Sequence, residues 1–198
     1  MAHIIGITGP SGSGKSLLCK YIEDAGIPCI DADEVYHSML TPNSQIMNAL
    51  QNAFGDGILL SDGSLNRVFL SNEVFNDPQK LELLNSTVLP IVIEKIEELI
   101  SELAPTNSRV AVDAPTLIES GFHKKCDTVV AVVAPEEVRI ARIQARDSIS
   151  RERAAARIKA QKPSEFYTSA ADVVLLNGSG IESFSKSAMA LVEQLKEI

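Results

Sequence analysis

The stretch GITGPSGSGKS at residues 6–16, placed directly after the apolar pair Ile4-Ile5, narrows the fold more than any other feature of this chain. Within it, Gly9-Pro10-Ser11-Gly12-Ser13-Gly14-Lys15-Ser16 fits G-x-x-x-x-G-K-[ST], the phosphate-binding P-loop. The chemistry asks for these residue types. Glycines let the backbone curl so that successive N–H groups point inward at phosphate oxygens. The helix that follows adds its positive N-terminal end. Lys15 reaches the β- and γ-phosphates, and the Ser16 hydroxyl is placed to ligate Mg²⁺. The motif needs a strand before it and a helix after it. HIIGIT (3–8) supplies an apolar run, and Leu18, Tyr21, Ile22 and Ala25 fall on one helical face, with Gly26 as a C-terminal stop. The implied ligand is the phosphate tail of a nucleoside triphosphate. The loop alone does not separate kinases, GTPases and motor ATPases.

IPCID (27–31) reads as a second strand and completes a βαβ unit. Residues 34–104 are helix-rich, with a turn at GDGILLSDGSL (55–65). Val92, Ile96, Leu99, Ile100 and Leu103 recur at helical spacing, and Pro90 suits the first turn of that helix. The α/β pattern then returns. RVAVDAP (109–115) is a buried-type strand ending at Asp113, and the continuous apolar run TVVAVVAP (128–135) suits a central parallel strand. A basic helical stretch follows, broken at DSIS (147–150) with Ser150 as an N-cap, and ended by Pro163. VVLLN (173–177) is a fifth strand, and Ile181, Phe184, Ala188, Leu191, Val192 and Leu195 mark a closing amphipathic helix. The pattern predicts an α/β fold: a P-loop core with a five-stranded parallel sheet flanked by helices, a helical insertion and a helical segment near the end.

A net charge of −8 argues against a general nucleic-acid binder. Residues 139–162 carry eight basic and two acidic side chains, a local +6 that leaves −14 on the rest, so the island suits a small polyanion or, read plainly, a solvated helix face. No stretch approaches the ~20 apolar residues of a membrane helix, and the N-terminus lacks the basic and apolar regions of a secretory signal. Cys19, Cys29 and Cys126 are odd in number and widely spaced, which reads as free thiols in a reducing compartment. A cytoplasmic location is expected.

Three groups carry candidate chemistry. Asp113 fits the position of a Mg²⁺-holding Walker B carboxylate, or a helix cap. Asp31 and Asp33 follow the second strand, at the sheet edge where doubly wound folds bind ligands. One of them suits a base that takes a proton from an attacking hydroxyl, and the other a cap for the next helix. Arg139, Arg142 and Arg146, spaced i, i+3, i+7, share one helix face, either as a phosphate-facing lid or as a salt-bridged surface.

These pieces, in this order, resemble the dephospho-CoA kinase family. The resemblance rests on GITGPSGSGKS, IDADEV, FGDGILLSDGSLNRVFL (54–70), VFNDPQKLELLNSTVLP, DAPTLIE, the ARIQARD to RIKAQ stretch and the late Ala171-Asp172 with Asn177-Gly178. It implies that ATP and dephospho-CoA give ADP and coenzyme A, the ribose 3′-hydroxyl attacking the γ-phosphate. By position, Asp33 would be the catalytic base, and Lys15, Arg142 and Arg146 would stabilise the transferring group. Gly9, Ser11, Gly12, Ser13, Gly14, Lys15, Ser16 and Leu17 would cradle the phosphates, with Asn177 bordering the adenine. Asp33, Arg67 and Asp113 would bind the acceptor, and Ser16 and Asp113 would hold Mg²⁺. The implied organisation is a nucleotide-binding core over 1–33, 109–138 and 168–198, a helical acceptor domain over 34–108 and a lid over 139–167. The implied partners are ATP and dephospho-CoA, with no nucleic acid and no membrane, and the chain is a monomer or weak oligomer. The chain departs from the family pattern at Pro10, at Leu89 where a His is usual, at Thr116 for a Leu, and near Tyr167 where a basic residue is usual. Three other readings stand beside it: another nucleoside or nucleotide kinase, a nucleotide-binding switch, and a catalytically weak relative kept as a binding protein, which the departures at Leu89, Thr116 and Tyr167 leave open. A GTPase switch needs the N-K-x-D that specifies guanine, and no such tetrapeptide occurs in this chain.

Overall fold

In the computed structural model, which describes residues 2–75 and 77–197, each apolar run becomes a strand. Met1 and Ile198, at the ends of the expected core, and Asn76, inside the expected acceptor segment, lie outside the described residues. β1 (His3–Thr8) leads through the P-loop into α1 (Lys15–Asp24), then β2 (Cys29–Asp31). Four helices follow: α2 (Ala32–Met39), α3 (Gln45–Phe54), α4 (Arg67–Phe75) and α5 (Pro78–Leu103). The second half runs β3 (Arg109–Asp113), β4 (Thr128–Val133), α6 (Glu136–Asp147), α7 (Arg151–Lys159), α8 (Ser164–Thr168), β5 (Val173–Leu176) and α9 (Ile181–Glu197).

The sheet has five strands in the order β2-β3-β1-β4-β5, all parallel. The chain leaves β1 toward one edge and β4 toward the other, so the P-loop stands at the switch point where such sheets bind ligands. All six residues of β4 are buried, as a central parallel strand requires. Leu18 and Ile22 of α1 and Phe184, Leu191 and Leu195 of α9 pack with Ile5, Ile7, Val130 and Val132 of the sheet. Phe184 is 2 % exposed, and truncating such a side chain costs about 3–5 kcal/mol. This core fixes the strand ends from which the site is built.

The chain forms two compact units, one of residues 1–31 with 100–198 and one of 32–99. The break falls where α2 starts directly after β2, so Asp33 goes with the helical unit and residues 100–108 with the sheet. Inside the sheet unit, α6 and α7 form a hairpin with its own small core of Ile140, Ile143, Ala154 and Ile158. The hairpin turns at Ser148, in the left-handed region with φ 53°, and Ser150 caps α7 by accepting the Arg153 N–H at 3.4 Å. The helix ends at Lys159, so Pro163 does not close it; Pro163 instead precedes α8, a helix too short to show a period in sequence.

Inside the helical unit, Ser44 caps α3, and the 55–65 turn packs on α3 and α4, closed by an antiparallel bridge between Leu59 and Leu65. Pro90 is not a first-turn residue. It lies inside α5, a continuous helix of 26 residues. The first-turn proline is Pro78, and Asp77 caps the helix by accepting the N–H groups of Gln79 at 3.0 Å and Lys80 at 3.2 Å.

Candidate active site

β1 delivers the chain into the P-loop at Gly9, whose φ is +139° and where a Cβ would stand 2.1 Å from the Val132 carbonyl oxygen. Glycine is therefore obligatory where the loop crosses β4. Ser13 N–H donates to the Pro10 carbonyl at 3.2 Å, and Lys15 Nζ donates to the Gly9 carbonyl at 2.8 Å, drawing the ammonium across the loop. Ser16 is exposed in the first turn of α1, and Leu17 N–H closes that turn on the Gly14 carbonyl at 3.1 Å. The first turn of α1 carries no acidic side chain, so its positive end is left for an anion.

The opposite side of the loop is held by side chains. Arg142 Nη1 donates to the Gly12 and Ser13 carbonyls, each at 3.2 Å, and its Nη2 donates to Asn177 Oδ1 at 2.8 Å. Asn177, 4 % exposed, donates Nδ2 to the Ser13 carbonyl at 2.8 Å. Because the N–H and C=O of a peptide point opposite ways, the held Ser13 carbonyl turns the Gly14 N–H to the other side of the loop. The arginine stripe does not act as one face. Arg139 is buried against the loop, where its Nε donates to the Ser11 carbonyl at 2.9 Å. Burial holds this guanidinium below its ordinary pKa. Arg146 points outward and pairs with Asp147 through Nε at 2.7 Å, which pushes its pKa up, and Asp147 also pairs with Arg157. The spacing gives a common side, but that side meets the loop at Arg139, Arg142 and Ile143, where a Cβ on Gly12 would come within 2.9 Å of the Arg139 carbonyl oxygen and 3.2 Å of Ile143 Cγ1, while Arg146 turns away to Asp147.

Asp113 ends β3 and is 8 % exposed. In the sheet it lies opposite Ile7 of β1 and Asp31 of β2, so Asp31, Asp113 and the P-loop all leave the same edge. The Cys19 thiol donates to Asp113 Oδ2 at 3.4 Å. A hydrogen bond with Cys29, burial and the Asp113 charge all raise the Cys19 pKa, which keeps this thiol a neutral donor beside the carboxylate. Ser16 and Asp113 offer one hydroxyl and one carboxylate. That set suits Mg²⁺, which takes most of its ligands from phosphates and water. Among the described residues no cluster of three or more His, Cys, Asp or Glu could hold a metal unaided.

Asp31 ends β2 in the sheet unit, and in the helical unit Asp33 stands in the first turn of α2. One turn further along α2, Tyr36 and His37 meet Arg67 at the start of α4, whose Nη2 lies 3.4 Å from His37 Nδ1. Burial raises the Tyr36 pKa, and the Arg67 charge opposes it. Sequence reasoning singled out Arg67 but not its two aromatic neighbours. The i+3 and i+4 spacing from Asp33 was the available signal.

A dephospho-CoA kinase family profile matches residues 3–183. This chain belongs to the dephospho-CoA kinase family. It is 36 % identical to a dephospho-CoA kinase of Carboxydothermus hydrogenoformans, over 98 % of this chain and 94 % of that one. It is 34 % identical to that of Dehalococcoides mccartyi, over 98 % of both. A crystal structure from Thermus thermophilus, 32 % identical, superposes over 98 % of both chains with a TM-score of 0.81. A shikimate kinase of Acinetobacter baumannii, 17 % identical, covers all of this chain and 92 % of its own with a TM-score of 0.51, a likeness of fold alone. The family is one of P-loop transferases that take ATP as phosphate donor.

The departures from the dephospho-CoA kinase pattern fall at identifiable places. Pro10 keeps its carbonyl as acceptor for Ser13 N–H, so the loop closes normally. Leu89 is half-buried on α5 beside Pro90, and Thr116 is half-buried in the loop after Asp113. Tyr167 is buried on α8, its pKa raised by burial and by Glu119 against the charge of Arg139. Gln161 was quoted in sequence only as part of a matching stretch. The structure puts its amide oxygen on the P-loop, 3.2 Å from Ser11 N. No helix among the described residues is long and apolar enough to cross a membrane.

Proposed function

We propose that this protein transfers the γ-phosphoryl group of ATP to the ribose 3′-hydroxyl of dephospho-CoA, giving coenzyme A and ADP. The observation that carries the reading is the family match over residues 3–183, on a chain whose P-loop carbonyls at Gly12 and Ser13 are braced by Arg142 and Asn177. The triphosphate lies on the amides of Gly12, Gly14, Lys15 and Ser16, with the Lys15 ammonium at the β- and γ-phosphates. Mg²⁺, held through Ser16 and Asp113 when bound, neutralises phosphate charge. Asp33 accepts the proton of the attacking hydroxyl, and Arg67 helps hold the acceptor. Arg142 works from the carbonyl side of the loop. Arg146 exchanges its Asp147 partner for the transferring phosphoryl group as the lid closes, which also excludes water that would hydrolyse ATP. A reducing, cytoplasmic setting agrees with three free cysteines.

The deciding experiment is an ADP-release assay with MgATP, run with and without dephospho-CoA, with coenzyme A detected by mass. ADP and coenzyme A should appear together and in equal amounts. ATP binding with no coenzyme A formed would refute the acceptor and redirect the search to nucleosides and nucleotides.

A further inference from the structure

At Ser11 the P-loop carries a closed hydrogen-bonded ring. Arg139 donates Nε to the Ser11 carbonyl at 2.9 Å and Nη2 to Gln161 Oε1 at 2.7 Å. The same Oε1 accepts the Ser11 N–H at 3.2 Å. Both polar atoms of one loop residue's backbone are thus held by two side chains that also hold each other. The two come from opposite stems of the lid hairpin. Arg139 is in the first half of α6, and Gln161 follows the end of α7, its own N–H tied to the Ile158 carbonyl at 3.1 Å.

Ser11 is the place where such a ring matters. The loop around it includes Gly9, Gly12 and Gly14, all at positive φ, and such residues confer little stiffness of their own. Arg142 and Asn177 hold the Gly12 and Ser13 carbonyls, downstream of Ser11. Upstream, the Gly9 and Pro10 carbonyls are held by Lys15 Nζ and the Ser13 N–H, contacts made within the loop itself. A free Ser11 peptide could rotate and carry the orientation of the next amides with it. Arg139 is 4 % exposed, so its guanidinium is committed to this contact and not to solvent or a bound phosphate.

We propose that Gln161 and Arg139 are positioning residues of the nucleotide site: they lock the Ser11 peptide and so preorganise the amides that bind the triphosphate. The inference rests on the P-loop being the ATP site. A loop ordered before binding loses less freedom when the ligand arrives, so the pair acts on ATP affinity and not on the acceptor. Because the ring joins the two lid stems to the loop, it also ties the root of the lid to the phosphate cradle.

Two variants of the intact chain test this. Gln161→Leu keeps the volume and removes the acceptor. Gln161→Glu keeps an acceptor oxygen facing Ser11 N–H and the Arg139 cation. The readouts are MgATP affinity by calorimetry, KM for ATP and for dephospho-CoA, and Tm. Gln161→Leu should weaken MgATP binding about tenfold and raise KM for ATP alike, with KM for dephospho-CoA unchanged. Gln161→Glu should stay within about threefold of the natural protein. MgATP affinity of the Leu variant within about twofold of the natural protein overturns the proposal, even if Tm falls, because the pair is then merely structural. Equal damage in the Glu variant, or a matching rise in KM for dephospho-CoA, overturns it as well. Failure of the natural protein to bind MgATP is a different result: it removes the ATP site on which the inference stands.

Discussion

Gly14 is demanded twice, by its φ of +108° and by the 2.2 Å that would separate a Cβ from Asn177 Nδ2. Gly14→Ala therefore has to strain the backbone and push Asn177 off the Ser13 carbonyl. We expect a loss of about 2 kcal/mol, seen as a fall of roughly 4–8 °C in Tm, together with loss of MgATP binding in calorimetry. An Ala variant with natural affinity would show that the loop is not held in the way described. Asp33 makes a chemical demand. Asp33→Asn removes the base but keeps the shape, so kcat should fall about 10²-fold or more with both KM values little changed in steady-state assays. Unchanged kcat would take Asp33 out of that role. At this scale the sequence was legible in identity and partly blind in direction. G-x-x-x-x-G-K-S marks the loop outright. The i, i+3, i+7 spacing marked three arginines but could not show that Arg139 faces the Ser11 carbonyl while Arg146 pairs with Asp147.

Elements were legible where their periodicity was strong. Buried parallel strands are continuous apolar runs, so β3 and β4 were read nearly to their ends, and Ser150 announced the start of α7. The strand order β2-β3-β1-β4-β5 is a long-range pairing that no local pattern encodes. The reading of α5 failed for a physical reason. Two prolines in it suit a first turn, and the part before Pro90 exposes Leu81 and Leu83, which blurs the amphipathic stripe. The resulting interior proline is exposed and offers no N–H to the Ser86 carbonyl. Pro90→Ala should therefore stabilise the protein by about 1–3 kcal/mol, read as a higher urea midpoint at constant m. A lower midpoint would mean that the proline bend is required for packing in the helical unit.

The whole molecule carries one electrostatic bias that no motif announces: several of its weak acids are held in their neutral forms. Cys19, Tyr36 and Tyr167 all have raised pKa values, and burial, with help from the Asp127 and Asp172 charges, pushes the Cys126 thiol up from 9.0 to about 12. The unfolded chain, exposing these groups to water, releases their protons at lower pH than the folded chain does. Between pH 9.0 and about 12 the folded state thus binds more protons than the unfolded one, and stability falls as pH rises. Below 9.0 both states keep the Cys126 proton, and that dependence vanishes. The net charge of −8 adds repulsion as further protons leave, in both natural and variant chains. Urea midpoints measured at fixed temperature should accordingly be level from this cause up to pH 9 and drop above it. Cys126→Ala separates the contributions, because a lost contact shifts the midpoint by the same amount at every pH, whereas a lost ionisation changes the slope. The variant should show the shallower slope above pH 9. Parallel curves for the natural and variant chains would mean that Cys126 ionises alike in both states and that the alkaline loss comes from the other buried acids.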